Sequence, residues 1–297
     1  MPDLLERIKG GETLVADGAM GTMLFARGLK PGDCPESVNL KQPQLLEEIA
    51  AAYVRAGSDI ISTNTFGASP LKLDCYGLAN KTDEINAAAV RAARKAAGTS
   101  VYVAASVGPC GRLIQPYGDI PPGQVAASFE RQLKALVAEG IDAVFIETMT
   151  DLTEAALAID AARAVAPSLP VSATMTFDHT PKGFFTIMGV SVQQAAGGLA
   201  RAGADIIGSN CGNGIDNMVH LAEQFAAHTD LPMIIQSNAG LPEIRDGLPI
   251  YSESPAYMAE RVDDLLRAGV SIVGGCCGTT PDHIASIRKR VDSGRYR

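Results

Sequence analysis

Tryptophan is absent from the 297 residues, and the seven Tyr and eight Phe form no stripe. No apolar run approaches the roughly 20 residues of a membrane span. The N-terminus, Met1-Pro2-Asp3-Leu4-Leu5-Glu6-Arg7, lacks a positive region followed by an apolar core. No signal peptide is therefore expected, and the expected compartment is the cytoplasm. Positive charge is in the minority. With 25 Lys and Arg against 33 Asp and Glu, the net charge is −8 and the pI about 5.1. That balance argues against nucleic acid or an anionic membrane as the main partner, and no basic arm reverses it. Linkers, low-complexity stretches and heptad runs are missing too. Cysteine is sparse, at six residues, which excludes a disulfide scaffold in a chain this long and leaves thiols needing another role. The four His residues do not cluster, so a Ser/His/Asp triad has no local support.

What is present is a hydrophobic fraction of 46 %, enough for a sizeable core, and a recurring pattern. Gly57, Gly140, Gly203 and Gly269 each end a helix-like stretch and precede an apolar, β-branched run. Glycine takes the left-handed conformation at a helix end at little cost, so each marks a helix stop and a strand start. The intervals are about two βα units long. Four further strands fall between them, at 13–16, 101–105, 169–174 and 231–235. Helices are expected at 43–56, 84–97, 125–139, 152–165, 192–202, 214–228, 254–268 and 281–291. Asp151, Ser254-Pro255 and Thr280-Pro281 supply start signals. Eight strands alternating with eight helices predict an α/β fold of the (β/α)8 TIM-barrel class, in one domain spanning 1–297. A doubly wound sheet is the runner-up, but Asp17-Gly18-Ala19-Met20-Gly21-Thr22 lacks the dinucleotide glycine spacing. Residues 25–41 and 108–122 are expected as loop-like insertions on the rim.

Barrel chemistry collects where strands end. Those ends bring together Asp17, Asn64 and Thr65, Ser106, Glu147 and Thr148, Thr176, Asn210 and Cys211, Asn238, and Cys276 and Cys277. Three thiols on one rim suit Zn²⁺ with a fourth position left for substrate. The competing reading makes Cys211 and one of the pair small buried apolar residues, and spacing alone does not decide. Asp17 and Glu147 suit capture of an amino group or acid–base work, against the alternative of helix capping. Cys34 reads as an ordinary loop thiol and Cys75 as a packed helical residue. Cys110 stays open.

The motifs carry a resemblance. Asp17-Gly18-Ala19-Met20-Gly21-Thr22, Thr63-Asn64-Thr65-Phe66-Gly67, Gly108-Pro109, Glu147-Thr148-Met149, Gly208-Ser209-Asn210-Cys211-Gly212, Ser237-Asn238-Ala239-Gly240-Leu241-Pro242 and Gly274-Gly275-Cys276-Cys277-Gly278-Thr279-Thr280-Pro281 resemble the homocysteine S-methyltransferase family. Within it, the sequence looks most like the homocysteine-binding module of cobalamin-dependent methionine synthase. The resemblance implies one Zn²⁺ on Cys211, Cys276 and Cys277, with the homocysteine thiol as fourth ligand and Asn238 in that place when substrate is absent. It implies that Asp17 and Glu147 hold the amino acid head group, that amides near Gly18 and Ala19 serve its carboxylate, and that Asn210 belongs to the substrate-binding set. The sequence stops at residue 297, so the folate, cobalamin and reactivation modules are expected to be absent, as is the dimerisation extension of the betaine enzyme. The expected donor is methylcobalamin on a separate corrinoid protein. The alternatives are a small betaine or sulfonium donor, which the scarcity of aromatics disfavours, and a non-catalytic zinc- or thiol-binding subunit.

Overall fold

A computed structural model describes residues 2–245 and 248–294. Eight parallel strands form the sheet: β1 (Leu14–Val15), β2 (Ile60–Ser62), β3 (Tyr102–Val107), β4 (Ala143–Met149), β5 (Val171–Met175), β6 (Ile206–Asn210), β7 (Met233–Ser237) and β8 (Val270–Gly275). Each pairs with its sequence neighbour, and β8 pairs with β1. An Ala16–Ile60 bridge closes β1 onto β2, completing a (β/α)8 barrel. The outer helices are α1 (Pro43–Arg55), α2 (Thr82–Ala97), α3 (Pro122–Ala138), α4 (Leu152–Val165), α5 (Val192–Ala202), α6 (Ile215–Ala226), α7 (Pro255–Arg267) and α8 (Pro281–Asp292). All eight expected helices are present within a few residues of their predicted limits.

Alternation along the strands sorts two cores. Val15, Ile61, Val103, Val144, Ile146, Ile207, Ile235 and Val273 face the helix ring. Leu14, Ile60, Tyr102, Phe145, Ile206, Ile234 and Ile272 fill the interior, where Leu4 and Ile8 of the N-terminal helix (Leu4–Lys9) join them. The interior is packed rather than hollow. Gly208 belongs to this packing: a Cβ there would run into the carbonyl of Ile234 on β7. Backbone cannot give way as a side-chain end can. Gly208→Ala is expected to destabilise the fold by about 2–3 kcal/mol in denaturant unfolding, and an unchanged midpoint would contradict this packing.

The four helix-ending glycines all have positive φ, between 81° and 97°. Three precede an aspartate at the barrel's N-terminal end. Asp59 accepts from Val15 N at 2.9 Å, Asp142 from Val103 N at 2.8 Å and Asp205 from Val171 N at 2.8 Å. Each also meets an arginine of a barrel helix: Arg288 at 2.8 Å, Arg94 at 2.7 Å and Arg163 at 2.6 Å. The fourth unit carries Ser271 at this position.

The insertions are not plain loops. Residues 25–41 include a 3-10 turn (Pro35–Ser37) and a short helix (Val38–Lys41), and two antiparallel strand pairs, Asp178–Thr180 with Gly183–Phe185 and Glu243–Arg245 with Leu248–Ile250, lie after β5 and β7. Their turn-forming sequences are too short to show a strand period. Cys75 is exposed, which corrects the packed reading. It caps a five-residue helix (Pro70–Asp74), too short to turn that position inward. Cys34 is buried, with its thiol donating to Glu36 at 3.3 Å. Burial and that carboxylate push it up to about 11, so it is not an ordinary loop thiol. Cys110 is buried as well, and burial with the charge of Glu154 raises it to about 12. Among the described residues, no helix is long and apolar enough to cross a membrane.

Candidate active site and metal centre

The interior changes character toward the strand C-termini. Two residues beyond the last apolar layer, the same period-2 face presents Ser62, Ser106, Glu147, Gln236 and Cys276. These line a cavity of about 390 Å³ together with Asp17, Gly18, Ala19, Glu36, Asn64, Phe66, Thr148, Cys211 and Cys277. A wider cleft at the N-terminal end of the barrel holds Arg7, Glu12, Asp59, Arg288 and Asp292. Its charges are already paired with one another, so the chemistry belongs to the smaller cavity.

Cys211, Cys276 and Cys277 offer sulfurs that all lie within 4.8 Å of one another, with Cys211 and Cys277 3.9 Å apart. Tetrahedral zinc with Zn–S near 2.3 Å requires sulfurs about 3.8 Å apart, so the spacing fits. Cys276 and Cys277 donate toward Cys211, which favours its thiolate and holds its pKa far below the usual thiol range. Asn238 supplies a second test. Its Oδ1 is buried without a hydrogen-bond partner, and its backbone is tied to the cysteine-bearing turns, with Asn238 N–H donating to Asn213 O at 3.1 Å and Ala239 N–H to Cys277 O at 2.9 Å. A buried orphan acceptor beside three sulfurs is an odd arrangement for packing and a natural one for a cation. The donor set therefore fits Zn²⁺.

Backbone geometry aims these groups. Thr148 and Cys211 are the non-glycine residues with positive φ among those described, at 60° and 61°. Such conformers cost on the order of 1 kcal/mol or more and persist where neighbours fix them. Cys211 N–H donates to Gln236 O at 3.1 Å, and Cys276 N–H to Ser237 O at 2.7 Å. Asn210 fixes Thr148: its Oδ1 accepts from Thr148 N at 2.7 Å and its Nδ2 donates to Thr148 Oγ1 at 2.8 Å. A backbone N–H only donates, so the amide orientation is unambiguous. Nδ2 then also reaches Glu147 Oε2 at 3.4 Å and Cys276 Sγ at 3.8 Å. Asn210 is fully buried behind the cavity wall.

The two carboxylates, Asp17 and Glu147, line the same cavity. Asp17 accepts from Ser62 N at 2.7 Å and Ser62 Oγ at 3.1 Å. Glu147 accepts from Ser106 Oγ and Asn210. Burial raises Asp17 to about 7 against the pull of Ser62. Burial raises Glu147 to about 7 as well, with Ser106 opposing and the charges of Asp17 and Cys211 adding. Neither carboxylate caps a helix, and neither meets a cation among the described residues. Buried acid groups without a counter-charge call for a cationic ligand.

The glycine-rich turns pack tightly around them. A Cβ on Gly18 would come within 2.5 Å of Thr279 Oγ1 and 3.0 Å of Tyr53. Ala19 N–H is already donated to Thr279 Oγ1 at 3.1 Å. That amide therefore ties down the loop, and both Gly18 and Ala19 stay on the cavity wall. Sequence reasoning missed Ser62, Glu36, Gln236 and Tyr251. Only the interior alternation of β2 and β7 signals the first and third. Glu36 and Tyr251 enter from long loops that no strand register reaches.

A family model described as homocysteine S-methyltransferase matches residues 14–291. The methionine synthases of Mycobacterium leprae (strain TN) and Mycobacterium tuberculosis (strain ATCC 25618 / H37Rv) are 31 % and 30 % identical, covering 97 % of this chain and 25 % of each relative. The chain thus spans about a quarter of the length of these curated relatives. The metallated form of the homocysteine methyltransferase MmuM from Escherichia coli superposes with a TM-score of 0.78 at 24 % identity, over 94 % of this chain and 96 % of that one. At that identity the likeness shows the fold. With the family match over nearly the whole barrel, the chain belongs to the homocysteine S-methyltransferase family.

Proposed function

We propose that this chain moves a methyl group to the thiol of homocysteine, forming methionine, with zinc held by Cys211, Cys276 and Cys277. In this reading residues 1–297 are one homocysteine-binding barrel domain. The observation that carries it is a three-sulfur cluster and two uncompensated carboxylates in one cavity. Homocysteine is a thiol two methylenes from an ammonium-bearing carbon, and its two ends match the two halves of this site.

Asp17 and Glu147 take the ammonium group, each already oriented by Ser62 or Ser106. Gly18 lets the substrate approach the wall closely. Cys211, Cys276 and Cys277 would hold the ion, and the unpaired Oδ1 of Asn238 would be available to it in the absence of a substrate thiol. When bound, zinc keeps that thiol ionised at neutral pH, where a free thiol is only about 3 % thiolate. This gain is roughly 30-fold, or about 2 kcal/mol. The carboxylates fix the far end of the substrate, so its sulfur points out of the barrel mouth toward an incoming methyl group. The transfer itself needs no general base.

The donor we infer is a methylcorrinoid carried by a separate protein. Among the described residues lining the cavity, Phe66 is the one aromatic, which is poor provision for a methylated cation. The mycobacterial relatives are methionine synthases. The test is anaerobic demethylation of methylcobalamin by zinc-loaded protein, followed by absorbance with and without homocysteine. Homocysteine-dependent loss of the methyl group with production of methionine is expected. No demethylation, together with turnover of a betaine or sulfonium compound, would replace this donor by a small one. No turnover with any donor would leave a thiol-binding subunit instead of an enzyme.

A further inference from the structure

Homocysteine carries its ammonium and its thiol at opposite ends of a short chain, and cysteine differs from it by one methylene. A site that grips both ends tells the two apart only if the distance between its halves is fixed. Here the head-group half includes the turn after β1, residues 17–21, and the sulfur half includes the turn after β8, residues 276–280. The strands join these turns at their base, where Ala16 N–H donates to Val273 O and Gly275 N–H to Asp17 O, both at 2.9 Å. Beyond that point side chains take over.

Thr279 is the centre of that junction. Its hydroxyl donates to Cys276 O at 2.7 Å and accepts from Ala19 N–H at 3.1 Å, so one side chain spans both turns. Tyr53 of α1 braces the same point from behind. Its hydroxyl donates to Ala19 O at 2.8 Å and lies 3.3 Å from Thr279 O. Thr22 Oγ1 adds a third tie by accepting from Gly278 N–H at 3.3 Å. Two glycines leave the room for this: a Cβ on Gly18 or on Gly275 would strike Thr279 Oγ1. Thr279 and Tyr53 are fully buried, and neither lines the cavity. They touch no substrate and act through the turns they join.

We propose that Thr279 and Tyr53 are positioning residues that fix the gap between the head-group carboxylates and the sulfur-binding centre, and thereby select homocysteine over the shorter cysteine. This inference rests on the zinc and homocysteine reading above and names how that site measures its substrate. Across a fixed gap, cysteine reaches either the metal with its thiol or Asp17 and Glu147 with its ammonium, and forfeits the other contact. One methylene is commonly worth about 10- to 200-fold in discrimination, and only walls that do not yield can realise it. Without the Thr279 bonds the two turns are free to close on the shorter molecule and lose their fit to the longer one.

Isothermal titration calorimetry on zinc-loaded protein, with no methyl donor present, reads the binding of homocysteine and of cysteine separately. Wild type is expected to bind homocysteine about 100-fold more tightly than cysteine. Thr279→Val keeps the shape of the side chain and loses both of its bonds. It is expected to lower that ratio about tenfold while retaining one zinc per chain. Thr279→Ser keeps the hydroxyl and is expected to hold the wild-type ratio. Tyr53→Phe removes a single hydroxyl from the same junction and is expected to move the ratio in the same direction, so it carries the test if Thr279→Val does not fold. A general loosening of the fold would weaken both ligands alike and leave the ratio where it was. An unchanged ratio in the folded variants, a Thr279→Ser variant as unselective as Thr279→Val, or loss of zinc or fold in both Thr279→Val and Tyr53→Phe would overturn the proposal. Equal binding of the two thiols by wild type would overturn it as well. If wild type takes up no zinc or binds neither thiol, it is the underlying zinc–homocysteine reading that falls.

Discussion

Cys276→Ala is expected to lose bound zinc and to lower methyl transfer to homocysteine about 10³-fold or more, while the barrel stays folded. Two sulfurs make a poor zinc site, and loss of the ion removes both thiol ionisation and the fixed position of the sulfur, each a large factor. The fold survives because the neighbouring contacts are made by backbone. Cys276 N–H bonds Ser237 O, and Cys276 O accepts from Thr279 N–H and from Thr279 Oγ1; alanine keeps all of these. Zinc content by atomic absorption, circular dichroism and turnover read the three parts separately. A variant retaining one zinc per chain with full activity would remove Cys276 from the site.

Asp17→Asn is expected to trade function for stability. Asparagine keeps the same shape and still accepts from Ser62 N–H, but it offers no charge to an ammonium group. Loss of one charge-assisted contact in a buried site predicts a KM for homocysteine raised about 100-fold. Stability moves the other way, and its sign follows from the direction of the shift. Burial raises the Asp17 carboxyl from 3.8 to about 7, so the folded protein holds its proton more tightly than the unfolded chain. The associated stability is present below the unfolded value near 4 and is lost as pH rises through about 7. At pH 8 the wild type carries a buried, uncompensated charge, whereas the variant does not. Asp17→Asn is expected to be more stable by about 2 kcal/mol at pH 8, with the difference closing toward pH 5. Thermal melts across that range check it, and a variant less stable than wild type at pH 8 would show that Asp17 is not paying this penalty.

The barrel was legible because its signals are periodic. Gly57, Gly140, Gly203 and Gly269 punctuate helix ends wherever a left-handed residue is needed, and the apolar runs after them are too short for anything but strands. The three cysteines and both carboxylates were legible because strand ends converge in a barrel, so positions far apart in sequence become neighbours. What stayed hidden obeys no period. Tyr251 comes to lie on Gly278 from a segment that follows Leu248–Ile250, Glu36 enters from a turn inside a long insertion, and Ala19 gives its amide to Thr279 across 260 residues of sequence. The exposure of Cys75 and the burial of Cys34 hinge on how short segments fold over the rim, which local composition does not encode. Asn210 illustrates the boundary. Its position at a strand end was readable, but its burial behind Thr148 follows from a positive φ that nothing in the sequence announces.

At the other end of the barrel, Asp59, Asp142 and Asp205 each tie the start of one strand to the strand before it and to an arginine of a surrounding helix. Alignment of neighbouring strands is thereby set locally, pair by pair, far from the rim. A segment inserted or deleted after a strand then has no leverage on how the strands line up. This accounts for the company the active-site face keeps: a 3-10 turn after β1, a long loop after β3 and antiparallel strand pairs after β5 and β7, all added without disturbing the spacing of three sulfurs contributed by β6 and β8. The stitched end makes the working end free to vary in length, so that descendants of such a chain could change what approaches the site while leaving intact what it holds.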